Sequence, residues 1–152
     1  MNHNPYSPPA AAVADVVSTG TLYSPQQIFA ASFVGSPIAA AWFIHRNFMT
    51  LGQESRGLRT LWLGLAATVI VFVATFFLPK QFPNVVLPLA YSFAINQYAL
   101  SLFKASYAAH ITAGGRKGSW WRVIGVSLLA LLTVLGVLFA IVLAAPGLFR
   151  DK

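Results

Sequence analysis

Charged side chains are scarce in this chain of 152 residues, so the polar ones inside its apolar stretches can be weighed for the chemistry they could do. Ser92, Asn96, Gln97 and Ser101 lie within a long apolar stretch (81–103) that carries no charged residue. At about 100° per helical residue, Ser92 and Asn96 share one face, while Gln97, Ser101 and Lys104 share another. Amides held in hydrocarbon bond across a helical bundle or line a substrate path. These four residues are the candidate intramembrane polar site, with Asn96 and Gln97 foremost.

Acid–base and metal chemistry have less to work with. Asp15, Glu54 and Asp151 are the only carboxylates, and all three lie outside the long apolar stretches. No buried carboxylate pair is available for general acid–base work, and no buried ionisable group for a proton-coupled carrier. His3, His45 and His110 have no second ligand at helical spacing and cysteine is absent, so no metal and no cofactor is expected. A serine nucleophile would need His45 or His110 as its base, and neither stands in a recognisable catalytic context. The chain is expected not to be an enzyme.

The segment Gly114-Gly115-Arg116-Lys117-Gly118-Ser119-Trp120-Trp121-Arg122 sets glycines beside Lys and Ser. A phosphate-binding loop of the Walker type requires a Gly-Lys pair, and none occurs here. The segment reads instead as a helix stop followed by topogenic charge and an aromatic anchor. Arg116, Lys117 and Arg122 beside Trp120 and Trp121 are the candidate contacts to anionic lipid.

The elements that must position these residues follow from charge. Charged residues are 9% of the chain, against about 25% in soluble domains. Four stretches have none: 16–45, 60–79, 81–103 and 123–149. About 20 apolar helical residues cross a hydrocarbon core of about 30 Å. An ordinary soluble domain, a disordered chain and a nucleic-acid binder are excluded; the partners expected are membrane lipids, a second copy or another membrane protein. The fold class expected is all-α: a polytopic membrane protein of four transmembrane helices in a small bundle. The spacing predicts helices over about 25–50, 58–78, 84–113 and 120–145, with a polar Pro- and Ala-rich tail over 1–24 and a basic tail over 150–152. Ser24, Pro25 and Gln27 form a capping box at the start of the first, Asn84 is placed to cap the third, and Pro146-Gly147 to close the fourth.

Orientation follows from Lys and Arg. The first loop has Arg46, Arg56 and Arg59; the third has Lys104, Arg116, Lys117 and Arg122; Lys80, Arg150 and Lys152 fall on the other side. The positive-inside rule then puts loops one and three in the cytoplasm and both termini outside. Trp42, Trp62, Trp120, Trp121 and Tyr107 fall at that same boundary. Were the first segment not to cross, only the N-terminal tail would change sides. Small residues at intervals of four mark candidate helix-packing or oligomer faces: Ala31, Gly35 and Ala39 on the first helix, Gly136 and Ala140 on the fourth.

Tyr23-Ser24-Pro25-Gln26-Gln27-Ile28, followed by Gly35-Ser36-Pro37, Arg46-Asn47 and Leu51-Gly52, resembles a group of small bacterial inner-membrane proteins with a Tyr-Ser-Pro-x-Gln-Ile, Gly-x-Pro-x-Ala, Asn, Leu-Gly pattern. Ser36 stands where a second glycine is common in that pattern. The resemblance implies a bacterial inner-membrane setting and carries no activity or site residue with it. The function expected is that of a non-enzymatic accessory or immunity-type membrane protein working through helix–helix contacts. The alternative is a small oligomeric transporter or channel built around the polar third helix.

Overall fold

The computed structural model describes residues 20–79 and 81–144. The tail up to residue 19, Lys80 and the C-terminal residues from 145, with the expected stop at Pro146-Gly147 and the basic tail, lie outside them. The order is β1 (Thr21–Leu22), α1 (Pro25–Thr50), α2 (Glu54–Thr75), α3 (Val86–Thr112), β2 (Arg116–Lys117) and α4 (Trp120–Ala144). All four helices are long and apolar enough to cross a membrane.

Length misleads for α1. The capping box is present: the Ser24 hydroxyl accepts from the Gln27 amide at 3.3 Å and the Gln27 side chain accepts from the Ser24 amide at 2.9 Å. At Ser36, however, the backbone turns to φ 81°, ψ 170°, inside an otherwise helical run. Pro37 follows, and its fixed φ suits the first position of a new helix. The two arms, residues 25–35 and 37–50, then run back to back. Continuous helix would hold Tyr23 and Asn47 about 36 Å apart, yet they are hydrogen-bonded at 2.8 Å. The expectation of one helix running end to end, with the N-terminal segment at the opposite end from loops one and three, is therefore corrected. Residues 20–24, 51–53 and 113–119 all gather at one end, here called the loop end.

The reason lies in the side chains between the arms. Ala31 and Ala39 are fully buried, and a Cβ on Gly35 would come within 2.7 Å of Ala39 and of the Ser127 backbone in α4. Only small residues let the arms and α4 approach so closely. The hairpin is the hub of the fold. Helices α2, α3 and α4 each pack on α1 and at most marginally on one another. Phe43, Ile44, Phe48, Ala99, Phe103 and Val123 form the core between them, with the Phe48 and Phe103 rings edge to face at 5.0 Å.

Helix ends show two further differences. Helix α2 starts at Glu54, ahead of the expected 58, because the charged residues there are good helix formers and Glu54 suits the positive helix start. Val85, with no side-chain cap bond, precedes α3, so Asn84 does not cap it.

Candidate functional site

Two regions concentrate the polar and concave features: a clasp at the loop end, and a cleft that begins at the hairpin and runs towards the opposite end.

The clasp is built on the β1 segment. Its two strands pair in parallel, Thr21 with Arg116 and Leu22 with Lys117. Asn47, fully buried in the last turns of α1, donates its side-chain N–H to the Tyr23 carbonyl and accepts from the Tyr23 amide, both at 2.8 Å. Gln27 reaches the Gly118 carbonyl at 2.7 Å with its side-chain amide, and the Gly118 amide donates to the Leu22 carbonyl at 2.8 Å. The Thr50 hydroxyl donates to the Thr21 carbonyl at 3.3 Å. Buried backbone groups left unpaired cost about as much as a lost hydrogen bond, so these amides replace the water the segment gave up. A side chain at Gly118 would strike the Tyr23 ring.

A row of aromatic rings crosses the clasp. Arg46 lies over Trp42, 5.7 Å from the ring centroid, and Trp42 meets Phe43 edge to face at 4.8 Å. Phe43 meets Tyr23 at 4.6 Å, and the Tyr23 hydroxyl accepts from Arg122 at 3.4 Å. The row thus has an arginine at each end.

The cleft lies between α2 and α4 and encloses ≈ 790 Å³. Ile38, Ala39 and Trp42 of the returning arm form its floor; Leu65, Val69 and Phe72 stand on one wall, Val126, Ala130 and Val134 on the other. Its two hydroxyls, Thr68 and Thr133, donate to their own helix at Gly64 and Leu129. Thr68 also accepts from the Ile38 amide at 3.1 Å, closing a backbone donor freed by the turn at Ser36. A second cleft of ≈ 600 Å³ lies at the far end between Thr75, Phe82, Asn84 and Leu87. A third, of ≈ 140 Å³, lies between Pro37, Thr60, Gly64, Ile95 and Tyr98.

The residues singled out from the sequence fall as follows. Ser92 is fully buried and its hydroxyl has no hydrogen-bond partner, as is also true of the Ser36 hydroxyl. Asn96 is half-buried; Gln97 and Ser101 are exposed, and Ser101 donates to the Tyr98 carbonyl of its own turn. The four do not converge, and none lines any of these three clefts. Ala31, Gly35 and Ala39 are buried within the hairpin and against α4, whereas Gly136 and Ala140 are exposed and a Cβ at Gly136 would meet nothing within 4 Å. Arg116, Lys117, Arg122, Trp120 and Trp121 are exposed at the loop end. Tyr23 and Asn47 entered the sequence reading only as part of a resemblance, and the one further signal was an amide near the end of an apolar helix.

No protein-family model matches the chain, and comparison with curated proteins and with solved structures gives no match.

Proposed function

We propose that this chain is a non-enzymatic, multi-pass protein of the bacterial inner membrane that acts by contact between its helices and another transmembrane helix, a second copy of itself first. The loop end carries Arg46, Arg56, Arg59, Lys104, Arg116, Lys117 and Arg122, so it faces the cytoplasm on the positive-inside rule. With α1 doubled back, residues 20–24 lie on that side too. Helices α2, α3 and α4 cross, and the chain leaves on the far side after three crossings rather than four.

One observation carries the reading: of the two small-residue ridges, that on α1 is used up inside the hairpin, whereas Gly136 and Ala140 on α4 stand open. Small residues on an exposed transmembrane face allow close backbone approach by a partner helix. The transport alternative would need Gln97 and Ser101, exposed on α3, to meet the same face of further copies. The test is the mass of the complex in mild detergent together with cysteine cross-linking in native membranes. Gly136→Leu and Ala140→Leu should abolish the dimer or co-purifying partner while leaving the monomer folded. A wild-type protein that is monomeric and cross-links to nothing through α4 would end this reading.

A further inference from the structure

The cleft between α2 and α4 ends, towards the loop end, in two arginines. On α4 the lining positions recur as Val126, Ala130, Val134 and Val137, the spacing of one helical face. One turn before Val126 on that face stands Arg122. On the returning arm of α1 the floor is Ile38, Ala39 and Trp42, and one turn beyond Trp42 stands Arg46. The trench therefore changes from apolar to cationic on both elements at the same end.

The two guanidinium groups flank one row of rings. Each sits at one end of the row Trp42–Phe43–Tyr23, Arg46 by its cation–π contact at 5.7 Å and Arg122 by its hydrogen bond at 3.4 Å. Stacking and a single hydrogen bond leave most of the five N–H donors of each guanidinium unspent. Among the described residues Glu54 is the only carboxylate, and neither arginine is ion-paired to it.

We propose that this cleft is a binding slot for an anionic phospholipid, with an acyl chain in the trench and the headgroup at its arginine end. Forked guanidinium groups suit phosphate oxygens, and basic pockets between transmembrane helices on the cytoplasmic side hold anionic headgroups. The chain part of the contact selects little, because surrounding lipid tails are as apolar as the trench. Selection must come from the arginines. A partner helix in the trench would cover the apolar walls but leave both arginines without an anion. The slot and the open ridge on α4 are separate features, so this inference rests on the membrane orientation of the proposed function and not on its helix-contact reading.

The experiment uses the full chain purified in a neutral detergent. Native mass spectrometry and thermal unfolding are followed with added phosphatidylglycerol or phosphatidylcholine of the same acyl composition. Phosphatidylglycerol should bind about 10- to 30-fold more tightly, two cations near a surface contributing of that order. Arg46→Gln with Arg122→Gln should remove the preference, and Ala130→Trp, which fills the trench and keeps both charges, should remove most binding. Gly136→Leu should leave the preference in place. Equal binding of the two lipids by the wild-type protein overturns the proposal without recourse to any variant. Undiminished phosphatidylglycerol binding by Ala130→Trp overturns the slot and leaves only a charged surface.

Discussion

Asn47 and Tyr23, 24 residues apart in sequence, exchange two hydrogen bonds of 2.8 Å, the side-chain amide of one pairing with both backbone groups of the other. Asn47 thus acts as an adjacent strand would, and pins the start of the hairpin against its end. Replacing it by Ala leaves a buried N–H and a buried C=O unpaired, each costing about 1–3 kcal/mol. Asn47→Ala should therefore lower unfolding stability in detergent by about 2–4 kcal/mol. Asn47→Asp, which keeps the acceptor and loses the donor, should also be destabilised. Unchanged thermal unfolding of Asn47→Ala would show that the pair does not hold the arms.

Ser36 sits at φ 81° and ψ 170°, a conformation that is essentially reserved for glycine and costs another residue about 1–3 kcal/mol. Its hydroxyl gains no partner in return. Ser36→Gly should raise stability by about 1 kcal/mol even though it adds backbone freedom to the unfolded chain. Ser36→Val should lower it by more. A Ser36→Gly protein that melts earlier would mean that the turn is not strained.

Gly118 lies under the Tyr23 ring while both of its backbone groups are hydrogen-bonded, so neither partner can give way. Gly118→Leu should cost about 1–3 kcal/mol through overpacking. It should also expose residues 20–24 to limited proteolysis. Cleavage unaltered at that segment would contradict the clasp.

The number of crossings can be read by labelling, since the native chain has no cysteine. Gln26→Cys, Ser55→Cys and Ser119→Cys should be protected from an impermeant maleimide in intact cells, and Gln81→Cys labelled. Labelling of Gln26→Cys with protection of Ser55→Cys would mean that α1 crosses after all.

Much of this arrangement could be read from the residues themselves. The charge-free stretches, Ser24 with Gln27, and the small-residue spacing around Gly35 follow from local rules, and the structure contains helices at each. The doubling back of α1 does not follow from such rules. Gly35-Ser36-Pro37 reads equally as a kink or a hairpin, and what decides is the pairing of Asn47 with Tyr23 across 24 residues, which no periodicity reports. The division of the candidate polar residues between two environments has a related reason. Helical arithmetic places Ser92 and Asn96 on one face and Gln97 and Ser101 on another, but the inward side of α3 is set by where the hairpin stands. That choice buries Ser92 and leaves Gln97 and Ser101 outside.

The pairing of Thr21–Leu22 with Arg116–Lys117 also sets an order of events during synthesis. Residues 21 and 22 leave the ribosome first, and their partners follow about 95 residues later. At about 5–20 residues per second the early segment waits on the order of 5–20 s. Throughout that interval its backbone groups must be hydrated or held by a chaperone. Closure becomes possible only once Arg116 and Lys117 have been made, so the contact that completes the clasp forms after α1, α2 and α3 have all been synthesised. A nascent chain stalled before residue 116 would carry every piece of the hairpin and lack its fastening.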